Sequence, residues 1–482
     1  MSARSMKTAA GLVAVLALAY TGASWYAGRT AQERIETWVD QANKEIAAQW
    51  TSADPRPVLK IQDYRRGVFD SDIRYGLEFR DDEGQEQTLG LHDVLQHGPW
   101  PWSALQQGEW RPVAAQSLIE PLPGGLWQPW FDALPAGTAP WTLESRIGFD
   151  GGLAARWRLA PVKLADGQLD FSGGLVRIDY EAATRVATVS GRIDQLAIFS
   201  ADSGVRVRFE GLDFDGTTTR SGESDLQSQQ QAQFGKILIE TADVPPVVLV
   251  GPSLRSDTAR TGGLLDSRLH YDLGQLQVDS QELGRITLAL SAEHLDVPAL
   301  QALASALEQM SQNDEDEGLS EQDQQRLLTL VKPVLAAGPR LGLEGLRWET
   351  PKGASEFKVL AEFKPVPEGA DQDVGELIER AIRQLSAQVN LSKPMLLQVV
   401  RQLSQVKGVD DGIGDPDMAV ALVSMMFDQY IGQYEREGLL RREGDAVTAD
   451  YRYADGQVTV NGRTMSPAEF IEQFGAVAGL GE

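Results

Sequence analysis

The sequence predicts an α+β protein: one N-terminal transmembrane helix, then a large body dominated by antiparallel sheet, with helical segments in the C-terminal third. Three observations carry this. A charge-free apolar span occupies residues 8–27. Apolar and polar residues alternate after Pro55 and again from about Trp141 to Leu295, broken by Gly, Asp and Ser at the spacing of successive hairpin strands. Helical spacing then returns from Pro298 onward.

The opening stretch, "TAAGLVAVLALAYTGASWYAG", is long enough to cross a hydrocarbon core of roughly 30 Å as a helix. Arg4 and Lys7 precede it, which orients the N-terminus to the cytoplasm and the bulk outside. A cleaved signal peptide is the alternative, with Ala17-Leu18-Ala19 as the small-x-small site. Retention is favoured by Trp25 and Tyr26 at the outer end, where amphipathic rings settle at the membrane interface. It is also favoured by the uninterrupted continuation into an amphipathic helix. In that stretch Ile35, Trp38, Val39, Ala42, Ile46 and Trp50 recur at helical spacing. The expected division is therefore a cytoplasmic 1–7, an anchor 8–27, a helical stalk 28–54, a β-rich region 55–297 and a mixed region 298–482.

Within the β-rich region, "VLKIQDYRRGVFDSDIRYGLEF" reads as paired strands turning at Arg66-Gly67. The stretch from His97 to Trp141 has no regular period and holds six of the eleven tryptophans, which makes it the most unusual segment of the chain. Trp100, Trp102, Trp127 and Trp130 are the candidate ligand-binding residues, because indoles offer large apolar faces with one donor. The competing expectation is that these rings pin an irregular loop to the sheet by being buried. In the mixed region, helices are expected from Pro298, through "SEQDQQRLLTLVKPVLAAG", and over Asp373–Val389, Pro394–Val406 and Asp417–Arg436. Leu377 and Leu385 fall on one apolar face of the third, and Met418, Leu422, Met425, Met426 and Tyr430 on one face of the last. A hairpin turning at Asp455-Gly456 and a short helix from Ser466 close the chain.

Composition excludes several function classes. The net charge of −25 repels phosphate backbones, so nucleic acid is not an expected partner. Cysteine is absent, which removes disulfides, zinc–thiolate sites and a cysteine nucleophile. His92 and His97 are five residues apart, not at the i, i+4 spacing of a helical zinc pair, and His270 and His294 stand alone. The acidic stretches 313–318 and 409–417 miss the ligand spacing of a calcium loop. No nucleophile elbow, P-loop or dinucleotide fingerprint occurs. No catalytic residue, metal site or cofactor is expected.

Four stretches together, "YTGASWYAGRTAQE", "YRRGVFDSDIRYGLEF", "HGPWPW" and "YRYADGQVTVNGRTM", resemble the YdgA-like family of Gram-negative envelope proteins, whose function is unknown. The resemblance implies an inner-membrane anchor and a periplasmic body, and it brings no catalytic residues. "LGRITLALSAEHLDVPALQAL" is also similar in style to strands of AsmA-like proteins, which pair an anchor with long β-structure and lipid handling. The expected activity is non-enzymatic binding of a hydrophobic ligand such as a lipid, or of an envelope partner. An envelope hydrolase acting on cell-wall or lipid substrates is one alternative. A scaffold that forms homo-oligomers through the Arg34–Trp50 helix is another.

Overall fold

The computed structural model describes residues 29–478, apart from short internal stretches of which 48–55, 312–320, 366–373 and 407–414 are the longest. The expected anchor with Trp25 and Tyr26, Trp50, and most of both acidic stretches lie outside the described residues. Among the described residues no helix is long and apolar enough to cross a membrane. The body is β-dominated with helices in its C-terminal third, as the alternation and the later helical spacing predict.

The chain forms two compact units. The first runs to Phe199 and includes Asp213–Thr219; the second holds Ser200–Leu212 and everything from Arg220 on. The division falls near residue 200. Across residue 297 the ladder is continuous: the strand ending at Asp296 pairs directly with the one beginning at Arg340.

The first unit is an antiparallel meander. Strands β1 (Val58–Arg66), β2 (Asp70–Arg80), β3 (Glu86–His97), β4 (Ala115–Pro121), β5 (Trp141–Ile147) and β6 (Leu153–Leu159) each pair with the one before. The short hairpin β7 (Val162–Lys163) and β8 (Leu169–Phe171) follows. Then β9 (Gly174–Glu181) pairs with β6, and β10 (Val186–Ser200) pairs with β9 and β8. Helix α1 (residues 32–44) lies on one face of β1–β3. Its Val39 packs with Leu59, Ile73, Tyr75, Leu95 and Ala115, supported by Ile35, Ala42 and Ile46. Asn43 Nδ2 donates to the Leu59 carbonyl at 2.9 Å, and the Leu59 N–H returns a bond to Asn43 Oδ1 at 2.8 Å. Ile35, Val39, Ala42 and Ile46 of the expected apolar face therefore lie against the chain's own sheet. Trp38 remains largely exposed, its ring meeting Tyr75 edge-on at 6.4 Å. Two short helices, α2 (Trp102–Gln106) and α3 (Gln128–Asp132), sit in the β3–β4 and β4–β5 connections.

Strand β11 (Val205–Arg220) is shared between the units. The second unit continues with β12 (Leu226–Gln233), β13 (Lys236–Glu240), β14 (Val247–Val250), β15 (Ser253–Thr261), β16 (Leu264–Val278) and β17 (Gln281–Asp296). Next come α4 (Val297–Ser311) and α5 (Glu321–Ala336), then β18 (Arg340–Thr350), β19 (Gly353–Phe363), α6 (Val374–Ala381) and β20 (Ile382–Ser392). Helices α7 (Lys393–Leu403) and α8 (Pro416–Arg436) lead to β21 (Arg441–Glu443), β22 (Ala446–Ala454), β23 (Gln457–Val460), β24 (Arg463–Met465) and α9 (Pro467–Ala478). Pairing runs β15–β16–β17–β18–β19–β20–β22–β23–β24, each step antiparallel. Helices α4 to α8 are excursions between strands that pair directly, β17 with β18, β19 with β20, and β20 with β22. Thus α4, α5 and α6 gather at the end where β17 finishes and β20 begins, and α7 and α8 gather at the other.

The helix expected over Asp373–Val389 stops at Ala381. From Ile382 the chain is strand, paired to β19 on one side and β22 on the other. Leu377 is fully buried with Leu328, Leu335 and Ala381, whereas Leu385 belongs to the sheet and is exposed. The other expected elements stand close to their predicted bounds. Asp455 and Gly456 both take positive φ (52° and 72°), the pairing that a two-residue hairpin turn of type I′ requires. At the last helix, Ser466 Oγ accepts from the Glu469 N–H while Glu469 accepts from the Ser466 N–H, a reciprocal capping box.

Candidate functional site: an open apolar strip in the second unit

Strands β17–β20 alternate cleanly. Register puts Leu288 opposite Leu346, Leu290 opposite Leu343, Leu343 opposite Val359, and Leu346 opposite Phe357; Phe357 in turn meets Val389. Residues directly opposite in a ladder share a face, so these side chains form one apolar surface several strands wide. The reverse face carries Arg347, Glu349, Glu356, Lys358 and Gln388 and is solvated. A one-sided antiparallel sheet normally lays its apolar face on a core.

Here the cover is partial. At one end, Leu328, Val331 and Leu335 of α5 and Leu377 and Ala381 of α6 pack around Phe363. At the other, α7 lies across the sheet with Met395 and Val399 buried. Ser355 Oγ touches Met395 Sδ at 3.1 Å and accepts from the Ser392 N–H at 3.0 Å, which seats the start of α7 on the apolar face. Between the two groups the surface stays open. Leu341, Leu346, Phe357 and Leu385 are 44%, 42%, 38% and 42% exposed. An open cavity of about 410 Å³ lies there, lined by Leu269, Leu290, Leu341, Leu343, Val359 and Ala361. That volume falls in the usual range of small-ligand sites, and its lining contributes no ionisable group. The chemistry such a surface offers is apolar contact: it can take an acyl chain or another apolar segment. Sequence reading did not single out these residues. The usable signal was the alternation in "RITLALSA", "RLGLEGLRW" and "SEFKVLAEF".

The four candidate tryptophans do not line one groove. Trp127 and Trp130 meet edge-to-face at 5.9 Å, and the series continues from Trp127 to Trp141 and from Trp141 to Trp157, each at 6.0 Å. Register places Trp141 and Trp157 on the face that carries Ile73 and Leu95, so this ladder of indoles extends the cover begun by α1. The Trp127 and Trp141 Nε1 atoms are buried without a hydrogen-bond partner. Trp100 and Trp102 lie in the β3–β4 connection, at the opposite end of the meander. Trp100 Nε1 donates to the Trp110 carbonyl at 3.0 Å, and Trp102 and Trp110 are 68% and 74% exposed.

The histidines named by the sequence also part. His92 and His97 project from opposite faces of β3. His92 Nε2 is 2.8 Å from Asp72 Oδ2, and this hydrogen bond holds the Asp72 carboxyl below its ordinary value. His97 is buried under the α1 side with Nε2 3.4 Å from Ser71 Oγ. Close by, Ser117 Oγ donates to Asp93 at 2.6 Å and Tyr75 Oη donates to it at 3.3 Å. Burial pushes the Asp93 carboxyl up to about 6 despite these two donors. The same burial pushes the Tyr75 hydroxyl up. The cluster has no opening to solvent at its buried members, so it acts as a hydrogen-bonded layer inside the packing. A second depression in the first unit is polar, but its Asp194 and Asp213 are both paired to Arg192, at 2.9 and 3.5 Å. Among the described residues no group of three His, Cys, Asp or Glu side chains is placed to hold a metal ion.

Over residues 5–468 the sequence matches the family described as "Bacterial protein of unknown function (DUF945)". The chain belongs to this family. Similar members include Protein YdgA of Escherichia coli, 24% identical over 97% of this chain and 96% of that protein. The uncharacterised protein YihF of the same organism is 21% identical, covering 97% of this chain and 98% of its own length. An uncharacterised protein of Haemophilus influenzae is 21% identical over 65% of this chain. No solved structure matches. The match to YdgA bears out the resemblance drawn from the four short stretches, and the family assigns no activity.

Proposed function

We propose that this family member is an inner-membrane-anchored protein with a periplasmic body that binds the acyl portion of a lipid along the open strip of β17–β20. The observation that supports this most is the uncovered run of Leu341, Leu346, Phe357 and Leu385 between two groups of helices that cover the same face elsewhere. A contiguous apolar surface left open in this way marks a binding site more often than a structural surface. The charge-free span 8–27 supplies the anchor. The test is binding of a fluorescent fatty acid to the full chain in nanodiscs. Leu346→Glu and Phe357→Glu should abolish probe capture with unchanged melts; undiminished capture would refute the site.

A second reading has its own observation. On α8, Met418, Leu422, Met425, Met426 and Tyr430 all face outward and are exposed. The helix sits against α7 by its other side, so the expected apolar face is turned to solvent. Methionine-rich surfaces adapt to protein partners, and this one fits docking of an envelope protein. Loss of a co-purifying partner in a Met425→Glu variant, with lipid capture intact, would separate the two.

A further inference from the structure

The first unit carries an exposed aromatic rim at one end of its meander. Three connections emerge there: the β1–β2 turn with Val68 and Phe69, the β3–β4 connection with Trp100, Trp102 and Trp110, and the β5–β6 turn with Phe149. All six side chains are exposed, Phe149 by 63%. Backbone bonds hold the three connections together. The His97 N–H donates to the Phe69 carbonyl at 2.9 Å, the Val113 N–H to Pro99 at 3.1 Å and the Ala114 N–H to Ile147 at 2.8 Å. Isolated exposed apolar residues need no explanation, but six large ones on adjacent loop tips do.

The start of α1 bears on what covers them. Helix α1 runs antiparallel to β1: Asn43 is bonded to Leu59 at the strand's beginning, and Gln32 Oε1 accepts from Arg66 at its end, at 3.4 Å. The start of α1 therefore stands at the rim. The apolar span that precedes it ends at Ala27, five residues before Gln32. Five residues reach at most about 18 Å. Where residues 8–27 cross a bilayer, the rim is brought to the outer membrane surface. Indoles and phenyl rings there meet the headgroup layer, the environment in which tryptophan is enriched at membrane interfaces.

We propose that Val68, Phe69, Trp100, Trp102, Trp110 and Phe149 form a membrane-docking rim, inserted into the outer headgroup region of the bilayer that holds the chain's own N-terminal segment. This rests on the anchor part of the functional reading and is independent of the acyl-binding strip. Docking of this kind fixes the first unit against the membrane instead of leaving it to swing on a stalk. It works through aromatic insertion, so added salt leaves it unchanged.

The absence of cysteine permits a direct test. Full chains carrying Trp102→Cys, Phe149→Cys, Leu126→Cys or Val15→Cys are labelled with an environment-sensitive fluorophore. They are reconstituted into vesicles of phosphatidylethanolamine and phosphatidylglycerol with nitroxide lipids, the nitroxide placed either near the headgroup or deep in the chain. Labels at 102 and 149 should shift to the blue and be quenched by the shallow nitroxide in low and high salt. The label at 126, on an exposed residue at the opposite end of the meander, should not. Trp102→Ser with Trp110→Ser should reduce quenching at a Phe69→Cys label while the melt stays unchanged. Unquenched labels at 102 and 149 beside a deeply quenched label at 15 overturn the rim and leave the anchor standing. An unquenched label at 15 overturns the anchor, and the rim with it unless 102 and 149 are still quenched. Rim labels quenched only after a partner protein is added overturn membrane docking in favour of a protein interface.

Discussion

The two units solve the same problem differently. Each is built on an antiparallel sheet with one apolar and one polar face. In the first, α1 lies over the apolar face with Ile73 and Leu95 buried beneath it, and the Trp130–Trp127–Trp141–Trp157 series extends that cover. In the second, helices cover the two ends and leave the middle open. Burying apolar surface stabilises by about 25 cal/mol per Å², so an uncovered strip of leucines and phenylalanine forgoes free energy that the chain obtains elsewhere. The contrast teaches that exposure in the second unit is a property of its topology. Helices α4 to α8 are excursions between directly paired strands, and among the described residues they are confined to the two ends.

The comparison breaks first if the covered positions are not structural. Ile73→Ala in the first unit and Leu377→Ala in the second should each lower stability by about 2–5 kcal/mol, since each leaves a cavity at a fully buried site. Denaturant midpoints measure this, and unchanged midpoints would contradict the packing described for both. Next in size is a pH effect. The Asp93 carboxyl has a folded value of about 6, above the ordinary unfolded value of about 3.9. Below pH 4 both states are protonated and no penalty arises. Between pH 4 and 6 the unfolded chain ionises first, so stability falls with rising pH by up to about 3 kcal/mol and then levels. Asp93→Asn should flatten this decline; a variant that keeps it would assign the decline to other groups.

Smaller effects sharpen the contrast. Trp127→Ala removes two edge-to-face contacts, each worth about 0.5–1.5 kcal/mol, and should destabilise by roughly 1–3 kcal/mol. Trp102→Ala, on an exposed tip, should change the melt little. Equal losses at the two positions would mean that the tryptophans share one role. Smallest of all in stability, Leu346→Ala should stay within about 0.5 kcal/mol of wild type, as an exposed side chain does.

Much of this was legible in sequence. Period-2 alternation gave the meanders, and Pro298, Pro394 and Pro416 stand within the first turns of α4, α7 and α8. The miss at Ile382–Val389 has a physical cause. Leu377, Ala381 and Leu385 satisfy helical spacing, while Leu385, Ala387 and Val389 equally satisfy strand spacing. Two flanking strands decided the matter by pairing, which no local pattern records. The candidate site was legible only as a class. Alternation shows that a face is apolar, but whether a helix covers it depends on where loops between paired strands travel. The two halves of the tryptophan segment lie apart for a similar reason, since β4 carries them to opposite ends of the meander.

Photo-crosslinking tests the central claim most directly. A phospholipid with a diazirine in its acyl chain is incorporated into nanodiscs carrying the full chain, and adducts are mapped by mass spectrometry. The account predicts adducts on peptides of β17–β20 around Leu346 and Phe357, lost in Phe357→Glu, in addition to any on residues 8–27. Adducts confined to residues 8–27 and the first unit, with β17–β20 unlabelled, would contradict it.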